Sequence, residues 1–198
     1  MKKLVSITTA VLLIILAGTI SAQSVRFGPS IGFTFPKNQD INLNEVVDRT
    51  LELDGDVHYG AKLKIGFPVL PLTITGGFLY TKLSGSIPAF DNSSVEQTIY
   101  VISVGGEYAF IPGPIQPYGA LDLMFTSLGE LKMPQSTDDS STSRVGLGIG
   151  AGIDIKILPK IDVDLSLKYC FNNMFGKEDG EDSFNTTNVT VNFLFNVL

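Results

Sequence analysis

Acid–base chemistry has few residues to draw on in this 198-residue chain. His58 is the only histidine, and Ser84, Ser86 and Ser127 are the hydroxyls expected near its height in the fold. Catalysis would need one of them, or an acid, within about 3 Å of the imidazole. No spacing singles out a serine, so His58 reads as a hydrogen-bonded interior side chain. Glu178, Asp179, Glu181 and Asp182 form an acidic run that could attract a divalent cation. The run lacks the alternating oxygen ligands and closing Glu of a calcium loop, and it reads as a solvated loop. The glycines from Gly146 to Gly152 recur every second residue, which is not a nucleotide-binding spacing. No zinc pattern or nucleophile elbow occurs, and no cofactor or metal is expected. Cys170 has no second cysteine to pair with and reads as a packed thiol.

A larger set of charges has a pattern instead of a motif. Arg26, Lys62, Lys64, Glu107, Asp122, Arg144, Asp154, Lys156, Asp162, Asp164 and Lys168 all fall on alternate positions of otherwise apolar segments. The clearest case runs from Arg144 to Asn172. Val145, Leu147, Ile149, Ala151, Ile153, Ile155 and Ile157 alternate with Arg144, four glycines, Asp154 and Lys156. After Pro159 the alternation resumes, with Ile161, Val163, Leu165, Leu167, Tyr169 and Phe171 on the apolar face. A period of two over more than ten residues predicts two long strands joined by a tight turn.

Six more segments alternate in the same way: 25–35, 56–67, 72–83, 95–110, 118–128 and 188–197. Pro29 is awkward within the first and suggests a seam or a bulge. Residues 36–53 form a long connection in which Asn44–Arg49 could make a helical turn. Stretches 84–94, 129–143 and 173–186 have loop composition. The connections after Phe67, Phe110 and Leu158 are short and rich in proline. Long and short connections therefore alternate around eight antiparallel strands, with every short turn at one end.

Strands of this length exceed the typical 5–6 residues of soluble sheets and suit the roughly 9–11 needed to cross a bilayer at a tilt. The aromatics on the apolar face fall into two bands. Phe33, Phe35, Tyr59, Phe78, Tyr80, Tyr100, Phe125, Tyr169 and Phe171 lie toward the loop end; Phe27, Phe67, Tyr108, Phe110, Phe193 and Phe195 lie toward the turn end. Bands flanking an aliphatic belt are the girdles of a lipid-facing barrel. The opposite face carries six positive and five negative charges, close to balance. Eight strands leave an interior just wide enough for side chains to fill, so these charges should pair. A salt-bridged plug toward the turn end is expected, with Lys156 meeting Asp162 or Asp164 across the turn.

The chain begins with Lys2 and Lys3, an uncharged apolar stretch from Leu4 to Ile20, and then Ser21 and Ala22. This reads as a cleaved export signal over 1–22, with the mature domain over 23–198. Without Lys2 and Lys3 the remaining 12 basic and 20 acidic residues leave a net charge near −8, which argues against nucleic acid as a partner. The segments YGAKLKIGF, VGGEYAF, QPYGALDLMF and VGLGIGAGIDIKI resemble the strands of the OmpA/OmpX-like family of eight-stranded outer-membrane β-barrels. The resemblance implies an all-β, up-and-down transmembrane barrel with short periplasmic turns and long extracellular loops. It also implies a monomer in the bacterial outer membrane, in contact with outer-membrane lipid and lipopolysaccharide and inserted by the barrel-assembly machinery. That machinery is thought to read an outward terminal Phe or Trp in such barrels. Here Phe193 and Phe195 precede outward Val197 and Leu198.

A non-enzymatic barrel of structural or adhesive type is the function expected from this pattern. Some barrels of this size modify lipid A with a histidine near the outer rim, which would give His58 a catalytic role. A small-solute pore is a further alternative. A soluble lipocalin-like barrel would instead turn the isoleucines inward and leave Asp154 and Asp164 in water.

Overall fold

A computed structural model describes residues 24–37, 40–41, 51–67, 70–87, 93–133, 136–138, 142–177 and 182–197. The segment expected to be an export signal and the helical turn expected at Asn44–Arg49 lie outside these residues. The strands are β1 (Ser24–Pro36), β2 (Asp40–Ile41), β3 (Leu51–Leu53), β4 (Asp56–Gly66), β5 (Leu72–Ile87), β6 (Ser93–Ala109), β7 (Ile115–Met133), β8 (Ser136–Asp138), β9 (Thr142–Leu158), β10 (Ile161–Phe175) and β11 (Asn185–Asn196). Among the described residues no helix is long and apolar enough to cross a membrane, which says nothing of strands.

Every pairing is antiparallel, and eight of the strands close on themselves. The ring runs β1–β4–β5–β6–β7–β9–β10–β11 and returns to β1. The short β3 and β8 pair onto the loop-end extensions of β5 and β7, β2 pairs onto β3, and all three lie off this ring. Closure removes free edges, so each of the eight strands has a neighbour to bond on both sides.

The strands run further than the alternation alone indicates. β5 and β6 stay paired as far as Ile87 and Ser93, and β7 continues to Met133. The polar stretches 84–87 and 129–133 therefore extend the ladder beyond the belt instead of forming loop. Polar side chains end the lipid-facing pattern without ending backbone pairing, because water accepts both faces of a strand there. Pro29 produces no bulge. The β1–β11 register is the same on both sides of it, from Phe27 opposite Phe195 to Ser30 opposite Asn192. Pro29 does lie at the seam where the first and last strands meet, and Gly28 and Pro29 are missing from that ladder. Gly28 is needed there for clearance, since a Cβ would sit 1.7 Å from the Phe193 carbonyl oxygen.

Orientation separates the membrane reading from the soluble one. Ile149, Ile153 and Ile157 are 54%, 41% and 58% exposed, whereas Asp154 and Asp164 are 3% and 0% exposed. The aliphatic face looks outward and the ionic face looks into the barrel. Aromatic neighbours mark both rims: Tyr80 and Tyr100 lie 5.2 Å apart toward the loop end, and Tyr108 and Phe110 lie 5.9 Å apart toward the turns.

Candidate functional site: the filled lumen

The lower half of the lumen holds an ion-pair network. Asp164 on β10 is its hub. It accepts from Lys62 Nζ at 2.9 Å, from Tyr118 Oη at 2.8 Å and from Asn192 Nδ2 at 3.2 Å, and it also pairs with Lys64. Lys64 reaches Glu107 at 2.8 Å and Asp154 at 3.3 Å, while Lys62 reaches Glu107 at 2.7 Å. Nearer the turns, Arg26 bridges Asp154 at 2.5 Å and Asp162 at 2.8 Å. Higher up, Lys168 pairs with Asp122, which also accepts from Thr75 at 3.2 Å. Six strands supply the charged groups, and Thr75 on β5 and Asn192 on β11 bring in the other two, so the network ties the wall together across the lumen.

Small residues on adjoining strands make room for it. A Cβ on Gly152 would sit 2.3 Å from the Tyr118 hydroxyl, and one on Gly150 would sit 2.7 Å from Lys168 Cγ. The glycines at every second position of β9 thus leave space for long side chains from β7 and β10. Tyr118 contributes more than a hydroxyl, because Lys64 Nζ lies 4.6 Å from its ring centroid.

Two of the eleven charges named from the sequence are placed apart from this network. Arg144 is buried near the loop end of β9, where it donates to the Ser143 carbonyl at 3.4 Å. Lys156 does not make the expected ion pair. It stands opposite Asp162 in the β9–β10 register, but it is exposed at the turn-end mouth and Asp162 takes Arg26 instead. Arg26 Nη1 points into the lumen between Asp154 and Asp162 and takes both, whereas the Lys156 side chain stays exposed in the mouth. Four cations, Arg26, Lys62, Lys64 and Lys168, therefore face five carboxylates, Glu107, Asp122, Asp154, Asp162 and Asp164.

The upper half carries a feature that alternation did not reveal. Leu83, Ile99, Val101, Met124, Leu128, Cys170 and Phe184 pack into a buried apolar cluster, with Leu79 against it. Most come from the inward faces of β5, β6 and β7, where the inward positions switch from polar to apolar. Leu79, an apolar residue among the polar inward positions of β5, packs against this plug. Phe184 comes from the polar stretch before β11 and is only 1% exposed. Its amide donates to Asn173 Oδ1 at 2.7 Å, and its carbonyl accepts from the Asn172 amide at 2.9 Å. A register irregularity between Phe171 and Phe175 lets consecutive Asn172 and Asn173 both face inward and hold it. A lone aromatic amid acidic and polar residues was the only trace of this lid in the sequence.

Between the two plugs lies a cavity of about 80 Å³. His58 lines it, is 0% exposed, and has both ring nitrogens in contact with threonine hydroxyls: Nδ1 with Thr34 at 2.9 Å and Nε2 with Thr190 at 3.0 Å. Ser84 is turned to Asp56 at 3.5 Å instead. The imidazole thus has the partners of a structural side chain and no opening to the membrane surface. Of the acidic run, Glu178, Asp179 and Glu181 lie outside the described residues. The Asp182 carbonyl accepts from Asn173. Among the described residues no group of His, Cys, Asp or Glu is arranged to hold a metal ion.

A closed ring of eight antiparallel strands, oily outside and ionic within, defines a transmembrane β-barrel. The chain belongs to the outer membrane protein beta-barrel domain family, whose model matches residues 8–196. Among solved structures it is similar to the outer membrane protein OprG of Pseudomonas aeruginosa, with a TM-score of 0.67 and 13% identity over 89% of this chain and 96% of that one. Neisserial surface protein A gives 0.56 and 14% over 86% and 96%. Ail, the attachment invasion locus protein of Yersinia pestis, gives 0.52 and 15% over 88% and 99%. Identities this low speak for the fold alone. No match was found among curated proteins.

Proposed function

We propose that this protein is a sealed, non-catalytic barrel whose work is structural or adhesive and is done at its loop end. One observation carries the reading: among the described residues two stacked plugs, one ionic and one apolar, fill the middle of the lumen, with a small cavity of about 80 Å³ between them. A solute path would have to break several buried ion pairs and part a packed apolar cluster at the same time. In this reading the export segment is cleaved after Ala22, the short turns face the periplasm, and the long connections face outward. The barrel works as a monomer among outer-membrane lipid and lipopolysaccharide after insertion by the assembly machinery. The fold it shares with a protein named for attachment is compatible with an adhesive role and carries no more than that.

Replacing residues 134–141 and 178–183 with short Gly-Ser turns tests the assignment. Cells displaying the trimmed barrel are expected to lose binding to host or neighbouring cells while keeping heat-modifiable gel migration. Unchanged adhesion would refute a loop-end role. Steady conductance of the intact protein in planar bilayers would favour the pore alternative instead. His58→Ala is expected to leave lipid A composition unchanged by mass spectrometry. The same change should lower stability by about 1–3 kcal/mol, because it leaves Thr34 and Thr190 without their partner.

A further inference from the structure

The turn end of the barrel opens into a bowl of about 960 Å³. Its lining changes character with depth. Arg26, Gln116, Lys156 and Asp162, the last paired with Arg26, stand inside the mouth, whereas Leu72, Tyr108 and Phe110 belong to the outer, lipid-facing surface and are 41%, 53% and 62% exposed. The hollow therefore passes from the polar lumen over the rim onto the membrane face. We propose that it binds a glycerophospholipid, with the phosphate held by Lys156 and Arg26 and the acyl chains laid over the rim.

Three observations favour this occupant over a soluble anion. Lys156 is exposed in the bowl, and among the described residues no carboxylate pairs with it. Arg26 is 8% exposed and uses Nη1 for Asp154 and Asp162, while its Nε has no hydrogen-bond partner. A phosphodiester supplies the negative charge that Lys156 lacks and an acceptor oxygen for the unpartnered Arg26 Nε, whose guanidinium charge Asp154 and Asp162 already balance. The apolar part of the lining continues the belt that lipid already covers, so acyl chains there need no new interface. The short turns also sit where strands leave the hydrocarbon, which is the height of phospholipid phosphates. Only the choice of the inner leaflet depends on the orientation proposed above; the chemistry of the bowl does not.

Native mass spectrometry of the folded barrel in detergent, incubated with phosphatidylglycerol, reads the site directly. One retained lipid is expected. Lys156→Glu should weaken retention at least fivefold while preserving heat-modifiable migration, and Phe110→Ser should weaken it by removing rim contact. Lys82→Glu, at the loop end, should leave it unchanged. Glycerol phosphate at equal concentration should not displace the lipid, since it lacks the chains. Equal retention by wild type and Lys156→Glu, or full displacement by glycerol phosphate, would overturn the assignment.

Discussion

Asp164→Ala is expected to destabilise the barrel by about 3–5 kcal/mol, the usual cost of stripping one partner from a buried ion pair. The carboxylate is fully buried and accepts from Lys62, Lys64, Tyr118 and Asn192. Without it, two lysine ammonium groups remain in a closed lumen with Glu107 and Asp154 as the nearest compensation. Urea unfolding of the protein in lipid vesicles is the measurement. At a slope of about 2 kcal/mol per molar urea, the midpoint should fall by roughly 1.5–2.5 M. Lys82→Ala is the internal control. Its side chain is exposed at the loop end, so a change within about 0.5 kcal/mol is expected. Lys64→Met added to Asp164→Ala should recover part of the loss, because it removes one of the orphaned charges. A midpoint for Asp164→Ala close to wild type would mean that water reaches the network and screens it.

Leu165→Arg is the second large effect. Leu165 points outward on β10, opposite Ile153 on β9 and Val191 on β11, about midway between the two aromatic bands. An arginine at that depth should cost about 2–4 kcal/mol, and the same substitution at Ile157, beside the turn rim, about 0–1 kcal/mol. The difference between the two positions is the informative quantity. Both leucine and isoleucine are exposed, at 41% and 58%, so in water an arginine would be tolerated equally at either. Equal stability of the two variants would remove the bilayer from the account of this fold.

Most of the fold was legible before any coordinates. Alternation of period two, carried through eight segments, defines strands and faces, because side chains on an extended backbone must point to opposite sides. The alternation of long and short connections defined an up-and-down order. What alternation could not supply was where a strand ends, since backbone pairing continues through 84–87 and 129–133 regardless of which side chains are polar. It also could not say which charges meet. Arg26 and Asp154 are 128 positions apart and touch only because closure brings β1 and β9 across one lumen. Lys156 and Asp162 are register partners and do not pair, because Arg26 on β1 reaches Asp162 past the intervening β11.

The sequence by itself determined the class of structure, the two faces of each strand and the near-neutral character of the interior. Those properties follow from local geometry and from the cost of placing charge in hydrocarbon. Only the tertiary structure decided that the isoleucines face out and Asp154 faces in, because a strand pattern is the same read from either side. Closure also decided the pairing of the ions and the burial of Phe184 over an apolar cluster. It left Lys156 at the mouth of the bowl. These depend on distances across the lumen between strands far apart in the chain, which no local pattern encodes.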